Sequence, residues 1–479
     1  MKSVITRYLS VLFVIVLAFD FFTRVYRLDQ PQGYVFDEVY HGVTAKLISR
    51  NDPSAYEWWQ GAPEPNTAID WLHPPLAKYT QALSILAFGE NSFGWRFSSA
   101  IFGVMAIGMV YLLGKETFSP TVGLLAALLA SLDGLLLVQS RIAMNDIHVT
   151  FFILVTLFLY VRSWKVPTHR LQYLLSVGIA AGLAAGSKWS GVYGLAVVWL
   201  FEGVRYLELL TSYDQKKSVA ETIKTTGRYW GYRLLVLGVV PILLYVLSYS
   251  QMFLQGKSLF CNQREVVTNH CYLNQEVAVD GSASDSYISH FHELHEQIWW
   301  YQTTLEATHD YQSRPWQWFL NFRPVWYHVE YLGDSMANIY AFGNPLLFAF
   351  GDMAIFLTII LIVRQMKTIK PTLKGTTEFI LNSKLAPILF VLTAYFAVWL
   401  PWQLSPRIMF FYHYTPAVPL LCIVLSWWLI QLAQKHPRVA VSAVLGVAVC
   451  FGLWYPLWTN LPVPARFANA LYFRFASWR

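Results

Sequence analysis

The chain has 479 residues and a net charge of +7, with 56% hydrophobic, 17% aromatic and only 13% charged residues. Soluble domains usually carry about 25% charged residues, so a chain of this size lacks the charge to coat a water-facing surface. That excludes an ordinary soluble enzyme and points to a protein whose solvent is largely lipid; no separate soluble domain stands out.

Apolar stretches able to cross a hydrocarbon core of roughly 30 Å recur from end to end. The first, Leu9 to Phe22, follows Lys2 and Arg7 and runs on into Arg24, Tyr26 and Arg27 with no small-residue cleavage site. It is read as a retained span, not a signal peptide. Spans are expected at about 8–26, 92–113, 119–138, 147–163, 171–186, 189–204, 231–250, 345–363, 385–402, 409–432 and 437–456, about eleven in all. The stretch Pro74 to Phe88 is apolar but short, opens with two prolines and holds Lys78, so an interfacial or re-entrant helix is expected there. This count, with a cytoplasmic N-terminus, places Lys115, then Arg162, Lys165 and Arg170, then Lys216, Lys217, Lys224 and Arg228, then Arg364, Lys367, Lys370 and Lys374, then Lys435 and Arg438 inside. That is the bias the positive-inside rule requires, whereas counting 74–88 as a span reverses it. The basic balance therefore reflects topology and calls for no nucleic-acid partner.

Two outer loops, about 27–91 and 251–344, divide the chain into an N-terminal transmembrane catalytic module (1–250), a long outer loop (251–344) and a C-terminal transmembrane part (345–479). Loops beyond about 12–15 residues are usually functional or disordered, and these are too aromatic for disorder. Amphipathic helices on the membrane surface, with Trp and Tyr at headgroup depth, are expected in both. Cys261 and Cys271 share the second loop and are either a disulfide, if that side is oxidising, or two free thiols. Cys422 and Cys450 fall in spans and read as core.

The pair Asp37-Glu38 follows the first span and is flanked by Val35, Phe36 and Val39. Adjacent side chains diverge, so the two are expected to do different work; a carboxylate in an apolar cleft can be tuned into a general base. Arg24, Arg96, Arg141, Lys188 and Arg407 lie at outer span ends. Each alone could snorkel to headgroups, but with Asp37, Glu38 and Asp146 they suggest a polar, anion-binding cavity at the outer leaflet. His290, His292 and His295 are close in sequence but match no metal-ligand spacing, so no metal is expected.

Phe36-Asp37-Glu38, His73-Pro74-Pro75-Leu76-Ala77-Lys78, Ser140-Arg141 with Asp146, and Ser187-Lys188-Trp189-Ser190-Gly191 occur in an order that resembles the protein O-mannosyltransferases. Thr308 to Ser313 with Trp316 and Trp318, Arg323 to Tyr327, Gly343-Asn344-Pro345 and Arg407 to Pro419 extend the resemblance over most of the chain. It implies an all-α polytopic membrane protein of GT-C type that uses a polyprenyl-phosphate-mannose donor, needs no cofactor, and mannosylates Ser or Thr of secreted or translocating proteins with inversion. The membrane implied is the plasma membrane, with the ER membrane as alternative. The resemblance gives Asp37 as base, Glu38 as its support and Arg141 as an essential arginine, with Arg24 a further match. Lys188, Asp146 and Arg407 are taken as the donor-phosphate side, and His73 as shaping the cleft or fixing a turn. His309, Tyr311, Trp316 and Trp318 line the donor site or pack the loop. After Glu38 the chain reads Val-Tyr-His-Gly where the family commonly has a histidine and then an aromatic residue, and the second loop is too short for a β-trefoil MIR domain. A compact bacterial-type form is expected, with acceptor selectivity in the loop itself. The competing readings are a GT-C transferase of another lipid-linked sugar or to a lipid acceptor, and a lipid-linked sugar transporter, which would place its site at the midplane and show internal repeats.

Overall fold

The computed structural model describes residues 2–58, 61–211, 219–255, 257–264, 271–278 and 285–478. Its helices, in chain order, begin with α1 (Lys2–Val25), α2 (Glu38–Ser49), α3 (Leu76–Phe88), α4 (Ser92–Thr117), α5 (Pro120–Ser131), α6 (Gly134–Gln139), α7 (Asp146–Lys165), α8 (Arg170–Ser187) and α9 (Val192–Thr211). Next come α10 (Val219–Leu234), a π-helical turn Leu235–Val239, α11 (Val240–Leu247), α12 (Ser250–Gln255), strands β1 (Lys257–Arg264) and β2 (Cys271–Ala278), α13 (Asp285–Thr304) and α14 (Pro315–Trp318). The last part holds β3 (Val325–Leu332), β4 (Ser335–Ala341), α15 (Pro345–Met366), α16 (Leu373–Asn382), α17 (Ala386–Trp399), α18 (Val418–Lys435), α19 (Pro437–Trp458), β5 (Val463–Pro464) and α20 (Ala465–Leu471).

Helix occupies every one of the expected spans, and among the described residues eight helices are long and apolar enough to cross a membrane. The protein is a multi-pass membrane protein. The 119–138 run, continuous in hydropathy, is broken in space: Asp133 ends α5 and caps α6, its Oδ1 accepting from Leu136 N at 2.8 Å. Its Oδ2 accepts from Asn344 N at 3.1 Å, and the Asn344 amide donates to Leu132 O and Val447 O, each at 3.0 Å. One buried Asp–Asn knot thus satisfies the ends left orphaned by the break and ties α5, α15 and α19 together. The helix α3 has 13 residues, short of the roughly 20 a span needs, as its prolines and Lys78 indicated.

The second long loop departs from expectation. It holds α12 to α14, but also two antiparallel hairpins, β1–β2 and β3–β4, the latter extended by β5 from the C-terminal segment. The alternation Val325, Trp326, Tyr327, His328, Val329 is a strand pattern, and its inward residues Val325 and Tyr327 are buried. The side chains of Cys261 and Cys271, and with them the question of their pairing, lie outside the described residues.

Packing between spans relies on small residues. Gly178, Gly182 and Gly186 repeat at four-residue spacing along α8 and let α11 and the π turn approach closely. A Cβ at Gly178 would run into the Val236 carbonyl, which is backbone and cannot swing aside. Gly178→Ala is therefore expected to destabilise the protein by about 1–3 kcal/mol, seen as a lower melting temperature of the detergent-purified protein, whereas Gly203→Ala, which meets open space, leaves it unchanged.

Candidate active site

The segment joining α1 to α2 is shaped by two guanidiniums reaching in from elsewhere. Arg141 lies between α6 and α7 and donates to the carbonyls of Thr23, Arg24, Tyr26 and Arg27 at 2.8–3.2 Å. Those carbonyls lie at and just beyond the C-terminal end of α1, where a cation also meets the negative end of the helix dipole. Arg96 of α4 donates to Leu28 O at 3.2 Å and to Pro31 O and Gly33 O at 2.8 Å. Its Nε and Nη2 each reach the Glu38 carboxylate at 2.8 Å. Glu38 is fully buried and also accepts from Val35 N and Ala143 N, both at 2.9 Å.

This clamp turns the neighbouring residue outward. Phe36 sits at φ +51°, a left-handed conformation that costs a bulky residue of order 1–3 kcal/mol. Its ring stacks on Tyr327 of β3 at 4.2 Å. Asp37 follows at the N-cap position of α2, yet its carboxylate makes no capping hydrogen bond. It faces a cavity of about 600 Å³, with Tyr412 Oη 3.4 Å from Oδ2. Removal from water pushes the Asp37 carboxyl up to about 6, against the opposing pull of His41 and Lys188.

The same cavity gathers His73, Asp146, Lys188 and Arg407 with Asp37. Lys188 Nζ donates to Asp146 Oδ1 at 2.7 Å and stands over the Tyr412 ring. Arg407 bonds Gln302 and lines both this cavity and an adjoining polar one of about 360 Å³ bounded by Glu306, Arg314 and Gln317. His309 also lines the cavity, edge-on to Phe410. Trp318 is buried against His413 and so packs the loop, Tyr311 lies beside Trp326, and Trp316 is exposed. Glu38 and Arg141 do not line the cavity but hold its frame, and Arg24 pairs with Asp20 inside α1.

Sequence reasoning passed over the group behind His73. Asp70 is buried and receives His73 Nδ1 at 2.9 Å, with His41 Nδ1 at 2.7 Å and Lys78 Nζ as ion-pair partners. Burial works against its ionisation, but His73, Lys78 and His41 together hold the carboxyl well below the usual range. Burial in turn lowers His73 to about 4, despite Asp70, so its imidazole is neutral at working pH. The spacing Asp70-x-x-His73 was the available signal. His41, Asp70 and His73 stand close enough to share a cation, but Lys78 already matches the Asp70 charge and both Nδ1 faces are committed to the carboxylate. A metal would have to displace the lysine.

The arrangement is a fixed carboxylate across a cavity from cationic groups, in a helical membrane scaffold. The family model for dolichyl-phosphate-mannose-protein mannosyltransferase matches residues 14–254, and that for the C-terminal four-span region of protein O-mannosyltransferase matches 287–475. The chain belongs to the protein mannosyltransferase family. It is a glycosyltransferase of GT-C architecture. It is 26% identical to the polyprenol-phosphate-mannose–protein mannosyltransferase of Corynebacterium glutamicum, over 85% of this chain and 81% of that one. Its fold resembles the Saccharomyces cerevisiae protein O-mannosyltransferase Pmt1-Pmt2 complex bound to the sugar donor, with TM-score 0.74 and 15% identity over 97% of this chain and 92% of that one. ArnT from Cupriavidus metallidurans bound to undecaprenyl phosphate is more distant, with TM-score 0.52 and 15% identity over 94% of this chain and 64% of that one.

Removing the Glu38 carboxylate leaves Arg96 buried without its counter-charge, which costs about 3–5 kcal/mol. Glu38→Ala is expected to lower the melting temperature and activity together, and Glu38→Gln, which keeps an acceptor oxygen, to lower both less. Equal melting temperatures for Glu38→Ala and wild type would contradict the clamp.

Proposed function

We propose that the protein transfers mannose from a polyprenyl-phosphate-linked donor to Ser or Thr hydroxyls of polypeptides, with inversion. Asp37 takes the proton of the acceptor hydroxyl as its oxygen attacks the anomeric carbon and the bond to the phosphate oxygen breaks. The polyprenyl phosphate leaves toward Lys188 and Arg407. The observation that carries this reading is the uncapped Asp37 carboxylate sharing one cavity with those two cations. Phosphate is already a leaving group, so the tasks left to the protein are activating a weak nucleophile and stabilising developing negative charge. Asp146 fixes Lys188 in place, and Glu38, Arg96 and Arg141 are positioning groups that hold Asp37 toward the cavity. The Lys/Arg bias of the segments on the opposite face favours a site on the extracytoplasmic side of the plasma membrane, where the acceptors are secreted or translocating chains.

A base works only when ionised, so the transfer rate is expected to rise with pH through about 6, following the Asp37 carboxyl, and then level. Purified enzyme given labelled polyprenyl-phosphate mannose and a Ser/Thr peptide tests this directly. Asp37→Asn is expected to reduce transfer by about 10²–10⁴-fold and to abolish the pH step near 6. Transfer to lipid alone, or full activity of Asp37→Asn, would overturn the reading.

A further inference from the structure

Among the polar side chains of the cavity wall that this mechanism does not use are His41, His73 and Asn145. His41 follows Asp37 by one turn of α2, its backbone N–H bonded to Asp37 O at 3.0 Å, and His73 comes from the turn before α3. Both point Nδ1 at Asp70. A carboxylate only accepts, so the neutral His73 ring carries its proton on Nδ1 and presents a lone pair at Nε2. Among the described residues the side-chain hydrogen bonds of His73 run through Nδ1, and the side-chain polar contact of His41 is its Nδ1 approach to Asp70. The third is Asn145, next to Asp146. It is 1% exposed, lines the same cavity, and neither its amide oxygen nor its nitrogen has a partner. An unpaired buried amide is costly unless something else completes it.

We propose that His41, His73 and Asn145 form the subsite that reads the hydroxyls of the transferred hexose. The proposal rests on the transfer reaction above. The donor carbon must lie between the Asp37-bound nucleophile and the cations holding the phosphate, so the sugar ring occupies the space these three residues border. A pyranose hydroxyl both donates and accepts. The His73 lone pair accepts from it, and the amide does both at once. Trp71 and Tyr301, which meet edge to face at 5.6 Å in the same wall, give the ring's C–H face an apolar border. Asp70 and Lys78 act through His73: the carboxylate fixes its tautomer, and the lysine pairs with that carboxylate.

A site built around hydroxyl contacts rejects an analogue that lacks the hydroxyl, because its own polar groups are then stranded. The test uses Asp37→Asn enzyme, in which donor is bound but not consumed, and compares binding of polyprenyl-phosphate mannose with its mono-deoxy analogues. At least one deoxy donor is expected to bind about tenfold or more weaker. Adding His73→Phe or Asn145→Val is expected to shrink that ratio toward one, and His73→Gln, which restores a polar atom near the Nε2 position, to recover part of it. The ratio is taken within each variant, so partial misfolding does not change it. Unchanged ratios in every variant, or equal binding of all deoxy donors by the Asp37→Asn enzyme, would overturn the subsite. Failure of wild-type enzyme to transfer mannose at all would instead overturn the reaction on which it rests.

Discussion

The buried ion pair between Glu38 and Arg96 is the constraint on which the site depends. Neither side chain is more than 1% exposed, and a charge so placed is tolerable only if every lone pair and N–H finds a partner. Glu38 meets that condition with two backbone donors besides the guanidinium, and Arg96 with three carbonyls of the α1–α2 connection. The pair therefore does more than neutralise itself. It folds an irregular segment into one shape, and the next residue, Asp37, is turned into the cavity as a consequence. Arg141 secures the other end of the same segment by capping α1. Three landmarks of the sequence thus separate into one group that faces the cavity and two that determine where it stands.

Charge in the cavity is balanced by pairs. Lys188 is matched by Asp146 and Lys78 by Asp70, which leaves Arg407, bonded to neutral Gln302, and the Asp37 carboxyl as the groups that, on the proposed reading, a lipid phosphate and a hydroxyl would meet. A polar site at membrane depth is otherwise strongly unfavourable. Pairing makes it tolerable while Asp37, Lys188 and Arg407 still face one cavity.

Much of this was legible in the sequence, for identifiable reasons. The spans were, because apolar runs of membrane length rarely arise in water-soluble chains, and so was the shortness of the helix at 74–88, from its prolines and Lys78. Asp37 stood out through its apolar flanks, and Lys188, Asp146, His73 and Arg407 were grouped with it. Glu38 was expected as a support for Asp37, but the contacts through which it and Arg141 hold the segment were not legible, since they run to Arg96 and to backbone atoms whose path only the fold reveals. The break at Asp133 was hidden because its partner, Asn344, is more than two hundred residues away. The β3–β4–β5 sheet was concealed by aromatic composition, which suits a membrane-surface helix as well as a strand, and its last strand comes from a separate part of the chain.

The most direct test of this arrangement is a structure of the Asp37→Asn enzyme with polyprenyl-phosphate mannose and a Ser/Thr peptide. The phosphate is expected against Lys188 and Arg407, the acceptor hydroxyl within hydrogen-bonding reach of residue 37, and the anomeric carbon between them. A phosphate lying beside residue 37, or a sugar bound outside this cavity, would contradict it.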